Sequence, residues 1–352
     1  MKMRLRLFAC CAVALALGTL VIGCHFATTP TSTTGFGVYV LNEGAYGQGN
    51  AELSYYSYGD NTVQQNVFSS ANPGMVLGDV ANHMVLSAGR LYVVVNNSNK
   101  IEIINAFDQT SVATVHLARS PRELAIIAPD KAYVTNMDST VSVLDIGTRQ
   151  VTRDIVVGPF PEGIVQTGGK AYVGVSGFGS GRTVAVVDVQ ADTLLTSIPV
   201  PDGPAYLVAG PDGRVYVSCV GASDYQNPAN DTNGHLIAID VSTDTVVDSL
   251  EIQGHPGKLV LGSAGMAYLI GPGSFAGGPI WKVDLGALSS VVPDFIPGTY
   301  YGVGVDTVAG KIFVGDANGF SGSGMVSIYD DAVRKLGEFE SGIGPSWFVP
   351  NR

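Results

Sequence analysis

The sequence is dominated by one repeated pattern, and its clearest copy reads KAYVTN at 131–136, TVSVLD at 140–145 and VTRDIVV at 151–157. The run GPFPEGIV at 158–165 follows and leads into the next copy. Each run is continuously or alternately apolar over a few residues and is bounded by Gly, Pro, Asn or Asp, which is typical of β-strands. The pattern therefore predicts a unit of four short antiparallel strands.

The unit recurs seven times, and an aromatic residue marks the same strand in each copy. Successive markers are 53, 41, 39, 44, 52 and 45 residues apart. The markers are Tyr39, Tyr92, Tyr133, Tyr172, Tyr216, Tyr268 and Phe313. A period near 45 residues with four strands per unit is typical of a propeller blade. The sequence predicts an all-β fold, a seven-bladed β-propeller of four-stranded antiparallel blades.

The two ends of the repeat predict how the ring closes. The innermost strands are expected to start near Pro121, Pro161, Pro204, Pro256 and Pro345, with less regular equivalents at 82–86 and 300–305. The first unit, which starts at Phe36, has no innermost strand of its own, and no unit follows the strand at 345–349. We expect the C-terminal strand to complete the first blade, which removes the last open sheet edges.

The N-terminal segment has the pattern of a secretory signal. Basic residues at Lys2, Arg4 and Arg6 precede an apolar run at 7–22, which ends in Gly23-Cys24. The tetrapeptide VIGC at 21–24 resembles the bacterial lipobox, which implies cleavage before Cys24 and lipidation of its thiol. A plain signal peptide with an incidental cysteine is the alternative. We predict a signal peptide at 1–23, a flexible tether at 24–35 and the propeller at 36–352.

Charge and cysteine content limit the function classes. Loss of the three basic residues of the signal takes the net charge from −11 to −14, and an acidic surface argues against nucleic acid. Cys10 and Cys11 lie in the signal and Cys24 is expected to carry lipid, so Cys219 has no partner for an intrachain disulfide. The fold must then be held together by its core, with Cys219 as a small buried residue.

Two segments resemble known families. The runs AYVTN at 132–136 and VSVLD at 141–145 resemble the YVTN repeat of the YncE-like propellers. The opening VYVLNEGAYG at 38–47, with NAELSYY at 50–56, resembles a narrower group of Bacteroidetes-type lipoproteins that includes the cobalamin-binding BtuG. The resemblance implies lipid anchoring in the cell envelope at the outer membrane, a TonB-dependent transporter as partner and a corrinoid as one candidate ligand. The tether has no acidic run after Cys24, so periplasmic and surface-exposed locations both stay open.

Ligands of propellers gather at one end of the central channel, where the loops between second and third strands meet the loops that enter the innermost strands. These loops carry large aromatic residues beside glycine, together with many amides. Such a surface suits a flat or amphipathic ligand, although the same aromatics could simply pack over neighbouring loops. The predicted ligand-binding residues are Tyr46, Asn97, Phe178, Tyr225, Phe275, Tyr300, Phe320 and Trp347.

Catalytic and metal sites have little support in the sequence. Only His83 and His255 are expected to reach the channel mouth, and there is no nucleophile elbow, phosphate-binding loop or zinc-ligand spacing. The Asp that ends the third strand recurs in five units and is expected to form turns. Oxygen donors for one divalent cation could come from Glu43, Asn96, Asn136, Asp138 and Asp316. Since the Asn after Tyr-Val belongs to the repeat, a role in capping the loop is favoured.

Three functions are therefore considered. The favoured one is an envelope-anchored, non-catalytic binding lipoprotein that captures a small cofactor-like ligand on one propeller face, without a resident cofactor or metal. The first alternative is a protein–protein interaction scaffold of the cell envelope. The second alternative is a metal-dependent hydrolase or lyase with its site at the channel mouth.

Overall fold

The structure is a computed structural model, and it describes residues 35–117, 119–224, 226–274 and 277–352. Twenty-eight strands of this described part form seven four-stranded antiparallel sheets. The predicted seven-bladed β-propeller is confirmed. Cys24, the signal peptide and almost all of the predicted tether lie outside the described residues.

Blades 1 to 4 contain the following strands. Blade 1 comprises β28 (Pro345–Asn351), β1 (Gly37–Asn42), β2 (Glu52–Ser57) and β3 (Val63–Gln64). Blade 2 comprises β4 (Ala81–Ser87), β5 (Arg90–Val95), β6 (Lys100–Asn105) and β7 (Ser111–His116). Blade 3 comprises β8 (Pro121–Ala128), β9 (Lys131–Asn136), β10 (Thr140–Asp145) and β11 (Gln150–Val156). Blade 4 comprises β12 (Pro161–Thr167), β13 (Lys170–Val175), β14 (Thr183–Asp188) and β15 (Thr193–Pro199).

Blades 5 to 7 follow the same plan, with the innermost strand first. Blade 5 comprises β16 (Pro204–Ala209), β17 (Arg214–Cys219), β18 (Gly234–Asp240) and β19 (Thr245–Ile252). Blade 6 comprises β20 (Leu259–Leu261), β21 (Met266–Ile270), β22 (Gly278–Asp284) and β23 (Val291–Tyr300). Blade 7 comprises β24 (Gly302–Asp306), β25 (Lys311–Asp316), β26 (Met325–Tyr329) and β27 (Lys335–Glu340). The short helices are α1 (Val67–Ala71) and the 3-10 turns Gly177–Gly179, Pro228–Asn230 and Asn318–Phe320.

The ring closes as the end of the repeat predicts. Strand β28 lies next to β1 and pairs with it from Gly37 opposite Asn351 to Asn42 opposite Pro345. Two predicted starts differ: the innermost strand of blade 6 begins at Leu259 rather than near Pro256, and that of blade 7 begins at Gly302 rather than at residue 300. The pairing still extends towards Pro256, since the Gly257 amide donates to the carbonyl of Ile270 at 2.8 Å.

The core lies between neighbouring blades. The seven aromatic markers are buried, and most of the tyrosine hydroxyls bond to the outer hairpin of the next blade. Tyr172 of blade 4 donates to Asp244 of blade 5 at 2.6 Å, and Tyr216 of blade 5 donates to the carbonyl of Leu285 in blade 6 at 2.7 Å. Cys219 is completely buried among apolar side chains of blades 4 and 5, as predicted.

Candidate ligand-binding site

A cavity of about 190 Å³ lies at the mouth of the central channel. It opens on the face where the loops between second and third strands meet the entries to the innermost strands. All seven blades contribute to its wall. The polar and aromatic side chains that line it are Glu43, Asn82, Arg122, Glu123, Glu162, Tyr206, His255, Lys258, Ser274, Tyr301, Ser346 and Trp347.

The charged lining results from a β-bulge at the start of the innermost strands. In β8 the register shifts between Pro121 and Leu124, and equivalent shifts follow Ala81, Pro161 and Pro204. A bulge adds a residue to one strand and re-aims its side chains. Two consecutive residues, Arg122 and Glu123, can therefore both line the cavity, which strict alternation would forbid.

Specific hydrogen bonds fix the charged groups. The Arg122 Nε donates to Glu162 Oε2 at 2.7 Å, and the Tyr301 hydroxyl donates to Glu43 Oε2 at 2.7 Å. The Lys258 Nζ donates to the backbone carbonyl of Ser346 at 2.6 Å. The same ammonium lies 4.0 Å from the ring centroid of Trp347, a cation–π contact. The cavity therefore holds its charges in defined positions before any ligand arrives.

Burial moves the pKa values of Glu123 and Lys258 in this cluster close to neutral pH. Desolvation raises the pKa of Glu123 to about 7, with Glu162 adding to the effect and Lys258 and Arg122 opposing it. Desolvation also raises the pKa of Glu43, against the Tyr301 hydrogen bond. Burial lowers the pKa of Lys258 to about 8. Several buried groups with shifted pKa values in one cleft are typical of functional sites.

Aromatic residues form the rim of the cavity. Phe160 and Phe178 of blade 4 lie with ring centroids 4.1 Å apart, and Phe320 of blade 7 packs edge-on against Tyr301 at 4.9 Å. Tyr46 is 80% exposed and Phe178 is 66% exposed. Large exposed aromatic rings around a polar cavity offer contact area to a ligand.

The three rim phenylalanines have unusual backbone conformations. The φ angles of Phe160, Phe178 and Phe320 are 48°, 56° and 59°. The position before the innermost strand has positive φ in several blades, and it is occupied by glycine at Gly203 and Gly344. A bulky residue is rare in this region. Val80 and Ser120 share the positive φ at the equivalent positions, so at Phe160 this conformation belongs to the repeat.

The structure brings together only part of the predicted site. Trp347 lines the cavity, and Tyr46, Phe178 and Phe320 lie on the loops of its rim. Asn97 is exposed on the same face, where its Nδ2 donates to Asp79 Oδ2 at 2.5 Å. The predicted residues Tyr225 and Phe275 lie outside the described residues.

Tyr300 does not belong to the cavity lining. Its hydroxyl bonds to the carbonyl of Pro297 at 3.2 Å and lies 3.4 Å from the hydroxyl of Tyr329, and its ring packs in the core between blades 6 and 7. The neighbouring Tyr301 lines the cavity instead. Because β24 begins at Gly302, Tyr301 is the last residue before the innermost strand and lies next to the channel.

Sequence reasoning missed most of the charged lining. Arg122, Glu123, Glu162, Tyr206 and Lys258 were not among the predicted residues. A signal was present, because charged residues follow the prolines that start innermost strands, as in PRE at 121–123, PE at 161–162 and PGK at 256–258. A charge at the start of a strand at the centre of a propeller points to the channel.

The proposed oxygen donors for a metal are dispersed. Asn136 donates through Nδ2 to Ser142 Oγ at 2.9 Å, and Asp138 pairs with Arg119 at 2.7 Å. In the part of the chain that the structure describes, no group of three or more His, Cys, Asp or Glu side chains is arranged to hold a metal ion. The recurring aspartates form turns, as predicted; Asp188 Oδ1, for example, accepts from the amides of Gln190 and Ala191, both at 2.8 Å.

A known protein family matches most of the chain. The family profile DUF5074, described as a domain of unknown function, matches residues 36–336. The chain belongs to the DUF5074 family. The match covers the propeller from its first strand into β27. None of the curated proteins matches the chain.

Solved structures share the fold at low sequence identity. A quinonprotein alcohol dehydrogenase-like protein from Bacteroides thetaiotaomicron is 16% identical, with a TM-score of 0.68 over 90% of this chain and 78% of that one. Hydrazine synthase from Kuenenia stuttgartiensis is 20% identical, with a TM-score of 0.59 over 76% of this chain and 88% of that one. At these identities the likeness shows the propeller fold alone. Among the residues that the structure describes, no helix has the length and apolar character needed to cross a membrane.

Proposed function

We propose that this DUF5074 propeller is an envelope-anchored, non-catalytic binding protein that captures a small cofactor-like ligand at the channel mouth. The observation that carries the proposal is the cavity itself: a preformed polar pocket to which all seven blades contribute, surrounded by exposed aromatic rings. Ligand sites combine apolar contact area with a few fixed polar groups that orient the ligand. The channel mouth has both.

The size of the cavity limits how a ligand can bind. A volume of 190 Å³ equals roughly six water molecules in the liquid. A flat macrocycle exceeds this volume, so it would lie across the rim on Tyr46 and Phe178 and place only one substituent in the cavity. This mode of binding agrees with the resemblance to the YncE-like lipoproteins that include a cobalamin-binding member, and a corrinoid is therefore the first ligand to test.

The start of the described chain supports an anchored arrangement. Gly35 and Phe36 lie beside Gly89 and Phe107, in the hairpin turns of the face opposite the cavity. A lipid on Cys24 would be attached 11 residues before Gly35, so the tether would join the propeller on the face opposite the channel mouth and leave the mouth unobstructed. A TonB-dependent transporter or another envelope protein could then receive the ligand from the exposed face.

Calorimetric titration of the purified protein with cobalamin, heme and a set of glycans tests the proposal. We expect one of these ligands to bind, and we expect Phe178→Ala and Tyr46→Ala to weaken its affinity about tenfold through loss of aromatic contact. Phe107→Ala is the matched control, because Phe107 is 56% exposed on the opposite face. Equal losses in all three variants, or no binding of any ligand, would contradict capture at the channel mouth.

A further inference from the structure

One residue of the cavity lining, Asn82, has a buried acceptor without a partner. The Oδ1 atom of Asn82 has no hydrogen-bond partner among the described residues. The amide cannot turn freely, because its Nδ2 donates to the carbonyl of Arg122 at 2.7 Å, and the backbone carbonyl of Asn82 accepts from the Trp347 indole. An unsatisfied buried acceptor costs roughly 1–3 kcal/mol, which a ligand that donates a hydrogen bond would recover.

The net charge of the cavity also favours a cationic ligand. Three carboxylates, Glu43, Glu123 and Glu162, face two cations, Arg122 and Lys258. Fully ionised, the cluster therefore has a net charge of −1, and an anionic ligand would make the desolvated site still more negative. Such a like-charge contact is costly where water is excluded.

The two cations already have partners in the wall. The Arg122 Nε donates to Glu162 at 2.7 Å, and Lys258 donates to Ser346 and lies over Trp347. Glu123 accepts only from the backbone amide of Ile164, at 3.2 Å, and has no side-chain hydrogen-bond partner among the residues that the structure describes. Glu123 is thus a carboxylate without a hydrogen-bonded cation, and Lys258 and Arg122 act on it only at longer range.

We propose that the cavity binds the protonated amine of a small ligand, or of a substituent on a larger one, which donates to Asn82 Oδ1 and to the carboxylates of Glu43 and Glu123. This inference rests on the proposed capture function and specifies the chemistry that the cavity recognises. Charge-assisted hydrogen bonds to carboxylates are among the strongest that a protein makes. The cavity, at about 190 Å³, has room for an ammonium group.

Binding of an ammonium group would be linked to protons. The pKa values of Glu43 and Glu123 are raised by burial, so a bound cation would favour their ionised forms and release protons near and below pH 7. The other ionisable groups that line the cavity are Glu162, Arg122, Lys258, Tyr206, Tyr301 and His255. Both tyrosines have raised pKa values and stay protonated. Affinity for an amine should therefore rise from pH 5.5 to pH 8.

Titration with three probes of equal length, n-butylamine, butyrate and 1-butanol, tests the inference in an amine-free phosphate buffer. At pH 8 we expect the protonated amine to bind at least about tenfold more tightly than the other two, and to lose about tenfold in affinity at pH 5.5. A fourth probe, 5-aminopentanoate, distinguishes a simple amine from a zwitterion. Tighter binding of this probe would show that Arg122 or Lys258 also receives a carboxylate.

Glu123→Gln should reduce amine affinity about tenfold and weaken its pH dependence. Glu340→Gln, on the exposed outer strand β27, is the matched control and should leave both unchanged. Equal or tighter binding of butyrate would overturn the inference and leave ligand capture standing, and so would binding of cobalamin or heme with no response to any amine. Loss of amine binding in the Glu340 variant as well would also overturn it.

Discussion

Two buried ionisable residues at the channel have opposite effects on stability. His83 is 7% exposed and packs against Trp347, and its Nδ1 accepts from the amide of Leu124 at 3.2 Å. Burial, helped by Lys258, lowers the pKa of His83 to about 3 from an ordinary value of 6.5. Its contribution to stability is therefore lost as the pH falls from 6.5 towards 3. The pKa of Glu123 is raised from 4.5 to about 7, so its contribution is present below pH 4.5 and lost as the pH rises through 7.

Between pH 6.5 and 4.5 the two contributions oppose each other. In the wild type, acidification protonates Glu123 favourably while it penalises the neutral His83. Glu123→Gln removes the favourable protonation. As the pH is lowered through this window, the free energy of unfolding of the variant should therefore fall relative to wild type by up to about 1.4 kcal/mol per pH unit. Urea denaturation at half-unit pH intervals measures the difference, and subtraction of the wild-type curve cancels the titration of surface groups.

Glu340→Gln serves as the control for this experiment, because the carboxylate is exposed on an outer strand, and its curve should parallel the wild type. A Glu123→Gln curve that also parallels the wild type would show that Glu123 is ionised throughout the window. The pKa assigned to it by burial would then be wrong.

Single residues show most clearly what could not be predicted from the sequence. Trp347 and the loops of the rim could be predicted, because aromatic residues beside glycine stand out in a repeat. The charges after Pro121 were a signal, but Arg122 and Glu123 could not both be assigned to the channel, because alternation assigns one residue of such a pair to each face of the strand. The bulge after Pro121 changes this geometry, and it is set by pairing with β9 rather than by the local sequence of β8. Tyr300 rather than Tyr301 was placed at the channel for a related reason: the innermost strand was predicted to start at residue 300, whereas β24 begins at Gly302.

At the level of elements, five of the seven blades are joined to the next by a tyrosine hydroxyl. The sequence predicts the seven aromatic markers but not which atoms the tyrosine hydroxyls bond to. Tyr39 donates to the carbonyl of Ala106 in blade 2 at 2.6 Å, and Tyr133 and Tyr268 donate to Asp192 and Asp331 of the following blades. The partner atoms lie 59 to 67 positions away from these tyrosines, so local patterning does not reveal them.

Tyr172→Phe tests this connection between blades. The hydroxyl of Tyr172 donates to Asp244 at 2.6 Å, and Lys170 also pairs with that carboxylate at 2.6 Å. Loss of one hydrogen bond to a charged acceptor should lower the free energy of unfolding by about 1–2 kcal/mol while the ring still fills the core. Chemical denaturation measures the change, and a double-mutant cycle with Asp244→Ala should give a coupling of similar size.

Tyr46→Phe is the control for the tyrosine experiment, because its side chain is 80% exposed and the stability should not change. Phe313 occupies the equivalent position in blade 7 without a hydroxyl and lies 6.2 Å from Tyr56 of blade 1, ring to ring. The junction between blades 7 and 1 therefore does without this bond. A Tyr172→Phe variant as stable as wild type would mean that packing alone joins the blades elsewhere too.

For the whole molecule, the fold could be predicted because the repeat shows how many blades there are and in which order their strands follow. Seven markers spaced 39 to 53 residues apart give the number of blades, and closure follows because the first unit lacks an innermost strand while the last strand has no later unit to join. The segment between β3 and β4 was not predicted in detail, because it departs from the repeat. There the Glu52 carboxylate accepts from the amides of Phe68 and Ser69 at 3.1 and 3.2 Å and holds α1 against the core, a contact that only tertiary structure provides.

Closure by β28 should be required for folding. Without residues 344–352, β1 would expose an unpaired edge next to the buried side chains of Val38 and Leu41, and the wall of the cavity would lose Ser346 and Trp347. An exposed apolar edge strand promotes association. We expect the truncated chain to lose its cooperative thermal transition and to elute as aggregates in size-exclusion chromatography.

A synthetic peptide of residues 343–352, added during refolding, should restore a monomer with a cooperative transition, because it supplies the missing strand in trans. Removal of Arg352 alone is the control: the pairing from Gly37 to Asn42 stays intact, so the chain should stay monomeric and cooperative, with a lower melting temperature from loss of the Arg352–Asp306 ion pair. A truncated chain that stays monomeric and melts at the wild-type temperature would contradict closure by β28. Since the same strand carries Trp347 under the cation of Lys258, restored ligand binding by the peptide complex would show that ring closure and the binding site form together.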